Sequence, residues 1–139
     1  MELLLSVEPN QQAIQFVDQK ITTFADMYGI PIKRELCFVV HELVINAVEA
    51  MQQVQFTNVK KIEIHVTKDE DLVQVTVTDE SGGIPKDKCE RILATNFEDV
   101  DFSDRGRGFL FIKNMVDEVW FEHLSDNRFL VGIKKKINV

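Results

Sequence analysis

The sequence is poor in cysteine, with two in 139 residues, Cys37 inside an apolar run and Cys89 in a polar one. There is no C-x-x-C pair and no histidine spacing of the kind a zinc site uses, so a disulfide-stapled scaffold and a thiolate metal centre are both excluded. Two free thiols in a reducing compartment is the reading that remains. Basic residues are also scarce. Lys and Arg number 16 against 23 Asp and Glu, a formal net charge of −7, which opposes broad attraction to nucleic acid or to an anionic membrane and favours a basic partner surface. Long apolar runs are missing too. The opening MELLLSVEPN carries Glu2 and Glu8 where a leader would be basic, and it is too short for a signal or membrane-spanning segment, so it reads as a first strand. No repeat, low-complexity tract or Pro/Ser/Gly-rich linker divides the chain. The expectation is one cytoplasmic domain over residues 1–139, in which 45% hydrophobic residues suffice for a single core.

What is present is strong periodicity. Ile14, Phe16, Val17, Ile21, Phe24, Ala25 and Met27 recur at helical spacing up to Gly29, a natural residue to follow a helix end. From Leu36 through Val39, Val40, Leu43, Val44, Ala47, Ala50 and Met51 to Val54 a second, longer helix is predicted. The period then changes. Ile62, Ile64 and Val66 alternate with polar residues, as do Val73, Val75 and Val77, which predicts a hairpin turning at Asp69-Glu70. From Glu80 to Gly108 the pattern lapses, and a loop of this length in a small domain suggests a mobile lid. A short helix over Phe109–Val116 and two strands, Glu118–His123 and Arg128–Ile137, around the turn Ser125-Asp126-Asn127 complete the chain. This order predicts an α+β fold, a two-layer sandwich whose mixed, mostly antiparallel sheet is covered by helices on one face.

Three stretches bear chemistry. In HELVINAVEA, Glu42, Asn46 and Glu49 fall at i, i+4 and i+7 on one stripe. A carboxamide oxygen at Asn46 suits Mg²⁺, and a carboxylate one turn earlier can orient or deprotonate a hydroxyl. In VTDESGGIP, Asp79 ends a strand and can accept from an amine, while Gly82 and Gly83, followed by Ile84, let the backbone close on a flat ring. In SDRGRGFLFIKNM, Gly106 and Gly108 stand before a predicted helix start, where backbone N–H groups can face a phosphate and Arg105 and Arg107 can add charge. Alone, the stripe is an ordinary solvated face, the glycines are ordinary turns, and Arg105-Gly106-Arg107-Gly108 is a fragment of a nucleic-acid-binding RGG segment that the acidic charge disfavours.

Taken together and in this order, E-x-x-x-N on a helix, D-x-x-x-G after a hairpin, a lid of about twenty residues and G-x-G-F opening a helix resemble the nucleotide-binding boxes of the GHKL ATPase superfamily, the Bergerat fold of histidine kinases, gyrase B and MutL proteins. The shortness of the chain and the run RGRGFLFIKNMVDEV make it most similar to the bacterial anti-sigma-factor serine/threonine kinases. The resemblance implies ATP and Mg²⁺ as cofactors, Glu42 as general base, Asn46 as metal ligand, Asp79 as reader of the adenine amino group and Gly83 as the glycine packed on adenine, with Ile84 beside it. It implies Gly106 and Gly108 as phosphate-side hinges of the lid, flanked by Phe109, with Arg105 and Arg107 as candidate phosphate contacts, although the family's basic residue can lie one position earlier. It also implies a sigma factor and an anti-sigma-factor antagonist as partners, and a homodimer. A nucleotide-gated binding module without kinase activity is the alternative. Two departures stand out: Ser81 replaces the first glycine of D-x-G-x-G, which predicts weaker nucleotide binding, and Arg128-Phe129-Leu130 replaces a Gly-Thr pair, leaving Thr76 or Thr78 to assist Asp79.

Overall fold

A computed structural model describes residues 1–54, 60–95 and 105–137. The elements run β1 (Glu2–Val7), α1 (Gln11–Met27), α2 (Lys33–Gln52), β2 (Ile62–Lys68), β3 (Leu72–Asp79), α3 (Lys86–Ala94), α4 (Arg105–Met115), β4 (Glu118–His123) and β5 (Phe129–Lys136). The strands form one sheet in the order β1-β2-β3-β5-β4, with every neighbouring pair antiparallel. This is the α+β architecture expected from the period changes, with the predicted hairpins in place.

Local chemistry explains the boundaries. Asn10 caps α1 by accepting from the Ala13 amide at 2.9 Å, which satisfies one of the donors left open at a helix start. After Tyr28, Gly29 takes a left-handed φ of 57°, which glycine adopts without steric cost. At the β2–β3 turn the Asp69 carboxylate accepts from the amides of Asp71 and Leu72, an aspartate-closed turn. Helix α2 stops at Gln52, and Val54 lies beyond it, exposed.

Strand alternation sorts the sheet into two faces. Leu5, Val7, Ile62, Ile64, Val66, Val73, Val75, Val77, Phe129, Val131 and Ile133 are buried on the inner face, where α1 turns in Val17, Ile21 and Phe24 and α2 turns in Leu36, Val40, Leu43 and Ala47. The outer face carries Thr76 and Thr78 on β3, Gly132 on β5 and Trp120 on β4, which pairs with Gly132. There the Trp120 indole lies over Gly132, so that a β-carbon on this glycine would fall 2.2 Å from the ring, and Lys134 Nζ sits 5.7 Å from the ring centroid.

One difference from the sequence expectation concerns residues 80–108. Helix α3 occupies Lys86–Ala94 and buries Cys89 and Ile92, so the first half of the expected lid is regular structure. The remainder of that lid, residues 96–104, lies outside the described residues. A nine-residue helix with two inward side chains offers too few repeats for periodicity to register; Pro85 at its start and Asp87 in its first turn were the available signals.

Gly132→Ala should force the Trp120 ring off the outer face. Overpacking of this kind costs about 1–3 kcal/mol, and urea unfolding should show a lower midpoint at unchanged slope; a midpoint equal to that of the unaltered protein would show that the indole is not held against Gly132.

Candidate nucleotide site

The site is built where the C-terminal end of β3 meets α2 and the start of α4. Asp79 continues the inward face of Val73, Val75 and Val77 and is only 1% exposed. Its Oδ1 accepts from the Ser81 amide at 3.0 Å and from the Ser81 hydroxyl at 2.6 Å. The same hydroxyl oxygen accepts from the Gly83 amide at 3.2 Å. Ser81 is therefore no gap in a glycine pattern but a bridge between the aspartate and the glycine turn. Thr76 and Thr78 cannot assist Asp79, because the strand alternation places them on the opposite face of the sheet.

The turn after Asp79 needs its glycines. Gly82 and Gly83 have φ of 87° and 83°, and a β-carbon on Gly83 would lie 2.3 Å from Cδ1 of Phe129. Gly82 donates to the Asn127 carbonyl at 2.8 Å, which ties this turn to the β4–β5 turn, where Asp126 and Asn127 are themselves left-handed. His123 Nε2 donates to the Ile84 carbonyl at 2.6 Å, and its ring lies 4.9 Å from that of Phe129. Phe129 and His123 were not anticipated as part of this site. They support the loop from the sheet side; Phe129 stands out in the sequence only as part of the triplet that replaces the Gly-Thr pair, and nothing marks His123 at the end of β4.

On α2, Glu42 is half-buried, Asn46 is buried and Glu49 is exposed. The Asn46 side-chain nitrogen is buried with no hydrogen-bond partner. An unsatisfied buried amide costs about 1–3 kcal/mol, and such a group calls for an explanation. The Asn46 carboxamide faces the first turn of α4: a β-carbon on Gly108 would lie 3.2 Å from Nδ2 and 3.4 Å from Oδ1. Helix α4 starts at Arg105, four residues before the predicted Phe109, so Gly106 and Gly108 lie within its first turn and not ahead of it. The consequence for anion binding is retained, because the first four N–H groups of a helix lack intrahelical acceptors. The side chains of Arg105 and Arg107 lie outside the described residues. Phe109 is fully buried, edge-on to Phe121 at 5.2 Å, and Phe121 stacks in turn on Phe129; its place is in the core beneath the site.

A cavity of about 210 Å³ opens beside these groups, lined by Glu49, Ala50 and Gln53 of α2, by Gly83, Ile84 and Pro85 of the loop, and by Lys88 of α3. It is smaller than the roughly 300–1,000 Å³ of sites that enclose drug-sized ligands, and Asp79 and Asn46 are not on its wall. Ala50 was not singled out from the sequence, although it follows Asn46 by one turn and lines this cavity. Across the other side, Lys113 Nζ donates to the carbonyls of Ile92, Leu93 and Thr95, holding the end of α3 to α4. Among the described residues no group of three or more His, Cys, Asp or Glu is placed to hold a metal, and no helix is long and apolar enough to cross a membrane.

Residues 32–136 match the family of histidine kinase-, DNA gyrase B- and HSP90-like ATPases. The chain belongs to this family. Membership in the GHKL ATPases carries ATP binding with it, and the antiparallel α+β sheet is the fold of the family. No curated protein sequence matches the chain. Among solved structures, the RsbU and RsbW domains of Rv1364c from Mycobacterium tuberculosis superpose with a TM-score of 0.68 at 14% identity, over 99% of this chain and 32% of that one. The chain thus spans about a third of the length of that two-domain structure. The SiaB–SiaC complex from Pseudomonas aeruginosa gives 0.65 at 13% identity, over 97% of this chain and 89% of the other. The catalytic domain of the histidine kinase ThkA gives 0.51 at 13% identity, over 97% of both. At these identities the likeness is one of fold.

Gly108→Ala separates stability from ligand binding at this GHKL site. Alanine is better in a helix than glycine by up to about 1 kcal/mol, which offsets the close contact of the new methyl with Asn46, so the melting temperature without ligand should change little. ATP affinity should fall about tenfold, because the added methyl crowds the Asn46 carboxamide and 1.4 kcal/mol is a factor of ten. Unchanged affinity in calorimetry would place the nucleotide away from α4.

Proposed function

We propose that the protein is an anti-sigma-factor-type serine/threonine kinase that acts in the cytoplasm as a homodimer of this single domain, residues 1–139. It holds a sigma factor and transfers the γ-phosphoryl group of ATP to a serine or threonine of that factor's antagonist. The observation that carries the reading is the buried, partnerless Asn46 amide nitrogen beside Gly108 at the start of α4, one turn from half-buried Glu42. A polar group desolvated without a partner, next to open helix N–H donors, suits a ligand that brings oxygens of its own.

In this reading the N-terminus of α4 faces the phosphates and Asp79 accepts from the adenine amino group. Gly83 and Ile84 line the base side of the cavity. Asn46 would hold Mg²⁺ through its carboxamide oxygen, a hard neutral donor. The metal supplies neutralisation of phosphate charge. Glu42 orients the attacking hydroxyl and accepts its proton, and positioning provides most of the acceleration. The structural neighbours support a partner protein, since one is a SiaB–SiaC complex and another joins RsbU and RsbW domains.

Asn46→Ala and Glu42→Gln test the two halves of this proposal. Asn46→Ala should weaken Mg·ATP binding and abolish the thermal stabilisation by ATP, which is about 2.7 kcal/mol at a hundredfold excess over Kd. Glu42→Gln should bind ATP nearly as well as the unaltered protein yet transfer phosphate to an antagonist protein roughly 10²–10⁴-fold more slowly, the span of a general base. If the unaltered protein and Glu42→Gln alike leave ATP untouched in the presence of a sigma-factor antagonist that they bind, the kinase assignment is wrong and a nucleotide-gated binding module replaces it.

A further inference from the structure

We infer that Ser81 is a positioning residue for base selection: its hydroxyl locks the Asp79 carboxylate and so sets the preference for a base that offers an exocyclic amine. The inference rests on the nucleotide reading above and deepens it at a position where the family pattern has glycine.

The geometry assigns the hydrogen bonds without ambiguity. A serine hydroxyl has one proton. The Gly83 amide can only donate, so at 3.2 Å it takes a lone pair of Ser81 Oγ, and the hydroxyl proton goes to Asp79 Oδ1 at 2.6 Å. The Ser81 amide brings a second donor to the same oxygen at 3.0 Å. Two donors from one residue fix both the position and the plane of a carboxylate that is 1% exposed. The far end of the relay is fixed as well, because Gly83 is pressed against the Phe129 ring, and Phe129 is itself fully buried.

Rigidity matters here because discrimination between an amine and a carbonyl depends on an acceptor that cannot turn away. A glycine at position 81 would keep the amide contact and lose the hydroxyl, removing one of the two donors that Ser81 gives the carboxylate and the acceptor that it gives the Gly83 amide. On this inference the replacement of glycine by serine strengthens the reader, the opposite of the weaker nucleotide binding expected from the motif alone. Threonine retains the hydroxyl, and Ser81 is not among the residues with left-handed backbone, so the backbone there does not oppose a β-branched side chain.

The test is calorimetric titration of the full chain and of Ser81→Ala, Ser81→Gly and Ser81→Thr with ATP and with inosine triphosphate, which presents a carbonyl in place of the amine. The unaltered protein and Ser81→Thr should prefer ATP by the same ratio. Ser81→Ala and Ser81→Gly should narrow that ratio by about 3- to 10-fold, the worth of one hydrogen bond, through weaker ATP binding and not tighter inosine binding. Equal losses of both nucleotides would mean that Ser81 acts only on the stability of the loop and would overturn the inference, as would an unchanged ratio in both variants or a threonine variant that behaves like alanine. Unaltered protein that binds both nucleotides equally would also overturn it while leaving ATP binding intact. Unaltered protein that binds neither would remove the nucleotide reading itself, and this inference with it. Ser81→Gly carries the residue of the family pattern and guards against a failure to fold.

Discussion

Helix α2 turns nine apolar residues into the core, from Leu36 to Met51, and packs them on the inner face of β3. Each such side chain contributes about 1.5–3 kcal/mol on burial, so the placement of α2 is set by many contacts at once. Asn46 rides on that helix into the interior. Its orphaned amide costs about 1–3 kcal/mol, small against the apolar total, and the fold tolerates it. The same packing brings Asn46 to α4 and holds the stripe of Glu42 and Glu49 along the edge of the site. A ligand that satisfies Asn46 recovers a cost that folding alone does not.

The other half of the site hangs on Phe129. Its ring meets Gly83 on one side, His123 on another and Phe121 on a third. The glycine turn is thereby pinned from the sheet side, while His123 and the Asn127 carbonyl hold the backbone at Ile84 and Gly82. Asp79, Ser81 and Gly83 form a connected unit with little freedom, which is what a reader of a flat base requires. The end of α3 is held separately, by Lys113 at its last carbonyls, so the helix that follows the loop is tied to α4.

Much of this was legible in the residues. The alternation of Ile62, Ile64, Val66 and of Val73, Val75, Val77 gave the central hairpin, and the long apolar stripe gave α2, because both periods extend far enough to exceed chance. The spacing of Glu42, Asn46, Asp79, Gly83 and Gly108 suggested one site, and the structure shows how packing brings Asn46 to Gly108. What escaped was short or tertiary. Helix α3 has two inward residues; the early start of α4 runs through glycines that helical propensity argues against. The contacts of the Ser81 hydroxyl with Asp79 and Gly83 were hidden because motif spacing records which residue is absent and not which hydrogen bond takes its place. The roles offered to Thr76 and Thr78 failed on strand parity, which their nearness in sequence conceals. Ala50 read as core, and only the folded arrangement puts it at a cavity and sets Phe129 against Gly83.

The central claim is that the buried Asn46 carboxamide is completed by nucleotide, and its side-chain amide resonances report on it directly. In a sample labelled with nitrogen-15 and titrated with Mg·ATP, the Asn46 Nδ2 signals should shift in proportion to occupancy and their hydrogens should exchange more slowly with water, while the backbone amide signals of Asp71 and Leu72, in the turn at the opposite end of β3 from Asp79, stay in place. Saturable binding of ATP with the Asn46 side-chain signals unmoved would contradict the account, since the orphaned group would then have no part in holding the ligand.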